Sequence, residues 1–177
     1  IEITIPTSST FSNAYDATGV ASSKVMGYES GAGRVEAVPN SSSVKISISG
    51  AHMMQFDADG SYTFTYNTSS GGGLTYNPSV TSGSATISNV QYFKYGDMVI
   101  VSGLIDNVSS GTVISIPVSS FFTSPYDVKG LVTGSYFESA AGIIQSVPNS
   151  ENVQISFRGA HGQTNFDQGS FIFTYKL

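Results

Sequence analysis

Two histidines occupy equivalent positions in two similar stretches of the sequence, and they are the first residues that could do chemistry. His52 and His161 each end a Gly-Ala-His triplet that follows an apolar run. An imidazole there can contact a bound ligand through one nitrogen. Alternatively, its second nitrogen orders the loop after the strand. Occurrence in both copies fits either interpretation.

Aromatic and amide side chains elsewhere are of the types that bind sugars. An aromatic face covers the apolar side of a sugar ring, and polar side chains take its hydroxyl groups. Residues in loops at the end of a β-sandwich are favoured for this role, because loops carry function on a rigid scaffold. The predicted ligand-binding residues are Tyr126, Asp127, Tyr136, His161, Gln163 and Asn165 in the second copy, with His52 and Asp57 in the first.

Metal binding and catalysis are not predicted. The stretch from Asp57 to Gly60 begins like a calcium loop, but no glutamate closes it at the required spacing, so a tight turn is the better interpretation. No nucleophile elbow, zinc-protease motif or phosphate-binding loop is present. The acids shared by the two copies lie largely beside turns, where aspartate caps backbone amides. We therefore expect no catalytic residue, no metal and no cofactor.

Composition and charge exclude several classes of partner. The net charge is −5, and the seven Lys and Arg residues are scattered singly, so no basic surface for nucleic acid is expected. No apolar run approaches the roughly 20 residues of a membrane helix. With no cysteine in the sequence, disulfides and thiol chemistry are excluded.

The chain contains an internal repeat. ITIPTSSTFSNAYDATG, which starts at Ile3, returns as ISIPVSSFFTSPYDVKG from Ile114. VPNSSSVKISISGAH and GSYTFTY return as VPNSENVQISFRGAH and GSFIFTY. The copies are offset by about 110 residues, which predicts one structural unit present twice.

The repeat suggests a domain organisation. Residues 1–66 form the first unit, residues 67–73 (NTSSGGG) a flexible linker, and residues 74–177 the second unit. Residues 74–113 have no counterpart in the first copy. We expect that counterpart upstream of Ile1, so that the first unit lacks its N-terminal strands. The alternative is a smaller subdomain that is complete as it stands.

Short apolar runs of period two predict an all-β fold. Examples are VKISIS, YTFTY, MVIVSGLI, VQISF and FIFTY. Such alternation indicates half-buried antiparallel strands. Turns are predicted at the two Val-Pro-Asn triplets, Tyr95-Gly96-Asp97, Asp59-Gly60 and Gln168-Gly169. The predicted class is an antiparallel, jelly-roll-like β-sandwich of about eight strands per complete unit, in two tandem units.

One segment resembles a known family. QYFKYGDMVIVSGLI resembles a strand pair in the C-terminal domains of tailed-phage fibres, with Tyr92, Lys94, Gly96, Val99 and Val101 at the matching positions, followed by Gly103. The resemblance covers residues 74–177 directly and the first unit only through the repeat. It implies a knob at a fibre tip, usually a homotrimer, located on a virion or on another extracellular fibre.

The expected function is a non-catalytic receptor-binding or adhesion module. Its partner would be a host cell-surface glycan or protein, without nucleic acid and without insertion into a membrane. Two alternatives remain open: a purely structural virion or fibre protein, and a depolymerase that cleaves host polysaccharide.

Overall fold

A computed structural model describes residues 2–4, 10–24, 30–50, 59–66, 74–136, 138–159 and 164–177. These residues form fifteen strands and one short 3-10 helix at Ala14–Asp16. None of them belongs to a helix long and apolar enough to cross a membrane. The predicted all-β class, with two antiparallel sandwich-like units, is confirmed.

The first unit is a five-stranded sheet. Its strands are β1 (Glu2–Thr4), β2 (Ala17–Lys24), β3 (Ser30–Ala37), β4 (Ser43–Gly50) and β5 (Asp59–Tyr66). Their order is β1-β4-β3-β2-β5, so β1 and β5 are the edges. One face carries a core of short apolar side chains together with Phe11, against which Phe64 and Tyr66 pack.

The second unit is a longer sheet of ten strands. They are β6 (Leu74–Tyr76), β7 (Val80–Ser82), β8 (Thr86–Tyr95), β9 (Met98–Asp106), β10 (Val108–Ser109), β11 (Thr112–Ser115), β12 (Val128–Tyr136), β13 (Glu138–Ser146), β14 (Asn152–Gly159) and β15 (Asn165–Lys176). The order is β6-β8-β9-β15-β12-β13-β14-β11-β7, and β10 pairs with β15. The count exceeds the predicted eight, because β7 and β10 are very short strands.

The internal repeat is visible as a shared topology. Strands β5-β2-β3-β4-β1 of the first unit lie in the same order as β15-β12-β13-β14-β11 of the second. In each unit three hairpin-linked strands are followed by a fourth that returns to lie beside the first, which is a Greek key. The units differ at the outer edge: β15 pairs with β9, whereas β5 pairs only with β2 among the described residues.

Turn chemistry is also repeated. Asn40 and Asn149 have φ angles of 60° and 59°, which Asn tolerates after Pro in a tight turn. The amide of Asn40 donates to the carbonyl of Phe11, and that of Asn149 to Phe122. Each turn is therefore hydrogen-bonded to the loop that carries Phe11 or Phe122, and this bond holds that loop against the sheet. The predicted Val-Pro-Asn turns are confirmed.

Two other predicted turns are wrong. Asp59 and Gly60 are the first residues of β5, and Gln168 and Gly169 lie within β15. Gln168 has a φ of 49°, and the β12–β15 register shifts beside it, which is the geometry of a bulge. Gln168 and Gly169 thus bend a continuous strand instead of ending it.

The two sheets pack together through hydroxyl-bearing faces. The Ser170 hydroxyl of β15 donates to the carbonyl of Gly19 at 2.7 Å, and the Thr133 hydroxyl of β12 donates to that of Gly33 at 2.6 Å. Thr18 and Ser102 also meet there. Side chains that the sequence pattern assigns to a solvated face are buried in this contact.

The second unit holds the larger core, inside its curled sheet. Its fully buried large side chains include Ile105, Ile144, Ile155, Phe171 and Phe173. The aromatic side chains of β15 stack in a row along one face, with ring centroids about 6 Å apart. This core fixes the positions of β8, β9, β12 and β15, which carry the candidate site.

Candidate ligand-binding site

The predicted ligand-binding residues do not all come together. His52, Asp57, His161 and Gln163 lie outside the described residues. The other four lie on or next to β12 and β15, as follows.

Tyr126 and Asp127 immediately precede β12, whereas Tyr136 ends it. Asn165, which is exposed, begins the antiparallel strand β15 and pairs with Ser109. Because β15 runs antiparallel to β12, Asn165 lies at the Tyr136 end. The structure therefore separates the pair Tyr126 and Asp127 from Tyr136 and Asn165 by the length of β12.

An open cleft of about 530 Å³ lies at the Tyr126 end. We call it the aromatic cleft. It is lined by Tyr95, Asp97, Met98, Tyr126, Asp127, Lys129, Thr174, Tyr175 and Lys176. Its volume lies within the range usual for small-molecule sites.

The β8–β9 hairpin forms one wall of the aromatic cleft. Gly96, with a φ of 58°, permits the two-residue turn that joins the strands, as the sequence predicts. Across the sheet, Tyr95 pairs with Met98, and Met98 pairs with Lys176. Directly opposed residues point to the same face of a sheet, so these three side chains form one row. Tyr95 is 86 % exposed.

The loop before β12 forms the opposite wall and presents Tyr126, which is 73 % exposed. Asp127 Oδ2 accepts the amides of Thr123 and Ser124 at 2.8 and 2.9 Å. The buried Ser146 hydroxyl donates to the Ser124 carbonyl at 2.6 Å. These bonds fix the loop and therefore the backbone of Tyr126.

Hydrogen bonding from the Ser124 and Thr123 amides lowers the pKa of Asp127 below its ordinary value of 3.8. The carboxylate is thus stabilised in its charged form. Asp16 makes the equivalent bonds in the first unit, where its Oδ2 accepts the amides of Ser12 and Asn13 at 2.7 and 2.9 Å. In each unit the aspartate therefore holds its loop by accepting two backbone amides. This is the structural role that its position beside a turn predicts.

Tyr175 lies beneath the aromatic cleft and anchors a neighbouring loop. Its hydroxyl donates to the Val118 carbonyl at 2.9 Å and accepts the Val118 amide at 3.1 Å. Burial raises the pKa of the Tyr175 phenol to about 12. The group is therefore a neutral structural clamp near physiological pH.

The equivalent surface of the first unit is covered. Thr18 and Thr65, which correspond to Lys129 and Thr174, both contact the Ser102 hydroxyl of β9. The Gln91 amide donates to the carbonyl of Tyr15, the counterpart of Tyr126, at 3.4 Å. Of these two equivalent surfaces, the one on the second unit is therefore the open one.

A second groove of about 470 Å³ lies between the two units. It is lined mainly by small and apolar residues of β2, β5, β12 and β13, including Tyr62 and Leu131, and no charged side chain lines it. The polar groups that line it are hydroxyls, from Ser22, Ser61, Tyr62, Thr63 and Thr133. The aromatic cleft combines aromatic, ammonium and carboxylate groups and is the better candidate.

Sequence reasoning identified Tyr126 and Asp127 but missed the other half of the cleft. In the sequence Tyr95 is predicted only as part of a turn and Met98 only as a strand residue, Lys129 stands only in the repeated stretch, and Lys176 follows the FIFTY run. The missing information was which strand lies beside which: β9 joins β15 by a long-range pairing. The sequence signal for this half of the cleft is Tyr95, a tyrosine next to the predicted turn at Gly96.

The cleft is suited to binding. Two exposed tyrosines offer apolar faces and hydroxyl groups, and two lysines offer charged donors. Among the described residues, no group of three or more His, Asp or Glu could hold a metal ion. Comparison with protein-family models, curated proteins and solved structures finds no match for this chain.

Proposed function

We propose that the chain is a non-catalytic receptor-binding module that recognises a host cell-surface glycan or protein through the aromatic cleft. The observation that carries the proposal is the pair of exposed tyrosines, Tyr95 and Tyr126, on opposite walls of one cleft. The resemblance of residues 74–177 to phage fibre tips supports the same function.

Exposed tyrosines on rigid supports are typical of binding surfaces. A tyrosine side chain combines a large apolar face with a polar end and loses little conformational entropy on binding. Tyr95 flanks a two-residue hairpin turn, and the backbone of Tyr126 is held by the Asp127 and Ser146 hydrogen bonds. The backbones of both tyrosines are therefore ordered before a ligand arrives, which reduces the cost of ordering.

A binding role fits Asp127 better than the part of general acid in glycoside hydrolysis does. A glycosidase needs a carboxylic acid with a raised pKa to protonate the leaving group. The pKa of Asp127 is shifted in the opposite direction, and its Oδ2 is occupied by two backbone amides. These features disfavour Asp127 as a general acid.

A shallow, open cleft suits a weak site that acts in many copies. Assembly into a homotrimer, which the family resemblance implies, would present three aromatic clefts on one tip. Linked sites raise the overall strength of attachment without a new contact at any one site.

The test is a glycan array probed with the full chain on a multivalent carrier, comparing wild type with Tyr95→Ala and Tyr126→Ala. We expect each variant to lose at least about tenfold in apparent affinity, because aromatic anchors are typical hot spots. Tyr62→Ala is the matched control, since Tyr62 is 48 % exposed but belongs to the first unit. Circular dichroism of each variant verifies folding.

Other outcomes have defined meanings. Loss of binding in Tyr62→Ala alone would move the site to the groove between the units. Absence of binding to any glycan or to whole host cells would favour the structural alternative. Shortened polysaccharide chains after incubation would show a depolymerase and overturn the proposal.

A further inference from the structure

We infer that the ligand of the aromatic cleft is a negatively charged saccharide, and that Lys129 and Lys176 bind its anionic group. The inference rests on the proposed function, because it specifies the ligand class of the same cleft. It is carried by the placement of the two lysines, by their lack of described partners and by a comparison of the two units.

Sheet register brings the two lysines together. Lys129 of β12 lies directly opposite Thr174 of β15, and Lys176 lies two residues further along β15. Both side chains therefore project from the same face as diagonal neighbours, about 7–8 Å apart at the backbone. Their flexible stems allow both ammonium groups to reach one anionic group in the cleft.

Neither ammonium forms an ion pair within the described part of the chain. The one ion pair there joins Arg34 and Glu36, in the first unit. Asp97 and Asp127 line the cleft as well, but among the described residues neither carboxylate forms an ion pair with either lysine, and Asp127 Oδ2 is hydrogen-bonded to two loop amides. Two like charges on adjacent strands repel one another, so the arrangement favours an external anion between them.

The charge of the whole chain opposes an anionic ligand at long range, so the site itself has to supply the attraction. The chain has seven Lys and Arg residues and a net charge of −5, yet two of the seven line one cleft. A protein of negative net charge repels anionic ligands at long range. A paired cation at the site is what would make binding of such a ligand favourable at short range.

Comparison of the two units shows that the shared scaffold does not require these lysines. Thr18 and Asn67 occupy the corresponding positions in the first copy. Thr18 is buried and bonded to Ser102, where the first unit packs on the second. Lysines therefore occur in the copy whose surface is open, as expected if they contact something other than the protein.

The shared chemistry of the ligand is a sugar ring with a carboxylate or sulfate substituent. Tyr95 and Tyr126 would contact the apolar surface of the ring, and the two ammonium groups would take the anionic oxygens. A sialylated or uronic-acid glycan and a sulfated glycan both satisfy this description. The experiment has to distinguish these sources.

The test uses the full chain on an array of matched sets, each with a neutral oligosaccharide, its carboxylated form and its sulfated form. We expect the charged members to bind better than the neutral member, and Lys129→Gln and Lys176→Gln each to weaken that binding about tenfold. Lys94→Gln is the matched control, because Lys94 is exposed on β8 outside the cleft. Its binding should equal that of wild type.

Salt provides an independent measurement. Binding of the charged members should weaken as ionic strength rises, and this dependence should be smaller in Lys129→Gln. Equal binding of neutral and charged members, with no effect of either lysine variant, would overturn the inference and leave the proposed function intact. No binding to any member would contradict the inference, and the same chain's binding to whole host cells then decides whether the proposed function also fails.

Discussion

The hydroxyl oxygens of Thr18 and Ser102 lie 2.8 Å apart where the two units meet, and both side chains are buried. Ser102 also contacts the Thr65 hydroxyl at 2.5 Å. Thr18 and Thr65 are directly paired on β2 and β5, so one serine in the middle of β9 engages two strands of the first unit. The two copies of the repeat are thereby joined through hydroxyl groups.

Replacement of Ser102 should weaken the contact between the units. In Ser102→Ala, two hydroxyl groups lose a buried partner, which we expect to lower the free energy of unfolding by about 1–2 kcal/mol. Urea unfolding followed by circular dichroism measures this. Ser88→Ala, at an exposed site on β8, is the control and should change stability little. Equal stability of both variants would contradict a stabilising role for Ser102.

Tyr175 should give the protein a specific dependence on alkaline pH. Its phenol has a pKa of about 12 in the folded chain, against about 10 in an unfolded one. The stabilisation is therefore fully present below pH 10 and is lost as the pH rises from 10 to 12. Tyr175→Phe should be less stable than wild type by about 1–2 kcal/mol at pH 8, since the Val118 amide and carbonyl lose their partner.

The deficit of Tyr175→Phe should then shrink between pH 10 and pH 12, because only wild type carries the raised pKa. Denaturant titrations of both proteins across this range test the prediction. Tyr62→Phe, at an exposed position, should show no comparable convergence with wild type. A constant gap between wild type and Tyr175→Phe would contradict the assignment.

Asp127 should make the stability of the protein depend on pH in the acidic range. Its pKa is lowered by amide hydrogen bonds, so its contribution to stability is present above the ordinary value of 3.8 and disappears as the pH falls through the lowered value. Asp127→Asn should melt at a lower temperature than wild type at pH 6, and the difference should vanish at strongly acidic pH. Differential scanning calorimetry over a pH series measures it.

Asp97→Asn is the control for Asp127→Asn, because it removes a carboxylate from the same cleft. It leaves the bonds to the Thr123 and Ser124 amides in place. A difference between Asp127→Asn and wild type that persists at strongly acidic pH would show that the carboxylate's charge is not what holds the loop.

Much of the fold could be predicted from local sequence. Alternating runs such as FIFTY place aromatic side chains on one face of a strand, and the Val-Pro-Asn turns appear as expected in both copies. Local patterns did not reveal that Thr18 and Ser102 would be buried, because their partners lie far apart in the chain. A hydroxyl on a strand looks solvated until another sheet packs on it.

Only part of the candidate site could be predicted from the sequence, for a related reason. Tyr126 and Asp127 stand out, since SPYD is an evident turn. Tyr95, Lys129 and Lys176 belong to three different strands, and only the β9–β15 and β12–β15 pairings bring them together. Periodicity identifies strands and their faces but not which strands are neighbours, so a site built across strands needs the topology.

Strand β5 should be more dynamic than its counterpart β15 in the repeated scaffold. Tyr62, Phe64 and Tyr66 of β5 correspond to Phe171, Phe173 and Tyr175 of β15. The β15 rings stack along the whole row, whereas in β5 Tyr62 stacks on Phe64 and the Phe64 and Tyr66 rings are tilted by 38°. The β15 row is fully buried, with strand partners on both sides. The β5 row is half-buried or exposed, and among the described residues β5 pairs with β2 alone.

Hydrogen exchange should therefore proceed at different rates in these two segments of similar sequence. We expect amides in residues 61–66 to exchange at least about tenfold faster than those in residues 170–175, because opening one unpaired edge costs less than opening a central strand. Peptide-level mass spectrometry resolves both segments in one sample, and their similar composition makes each the internal reference for the other. Equal protection would mean that the β5 edge is covered in solution, and protection that depends on protein concentration would identify the cover as a second copy of the chain.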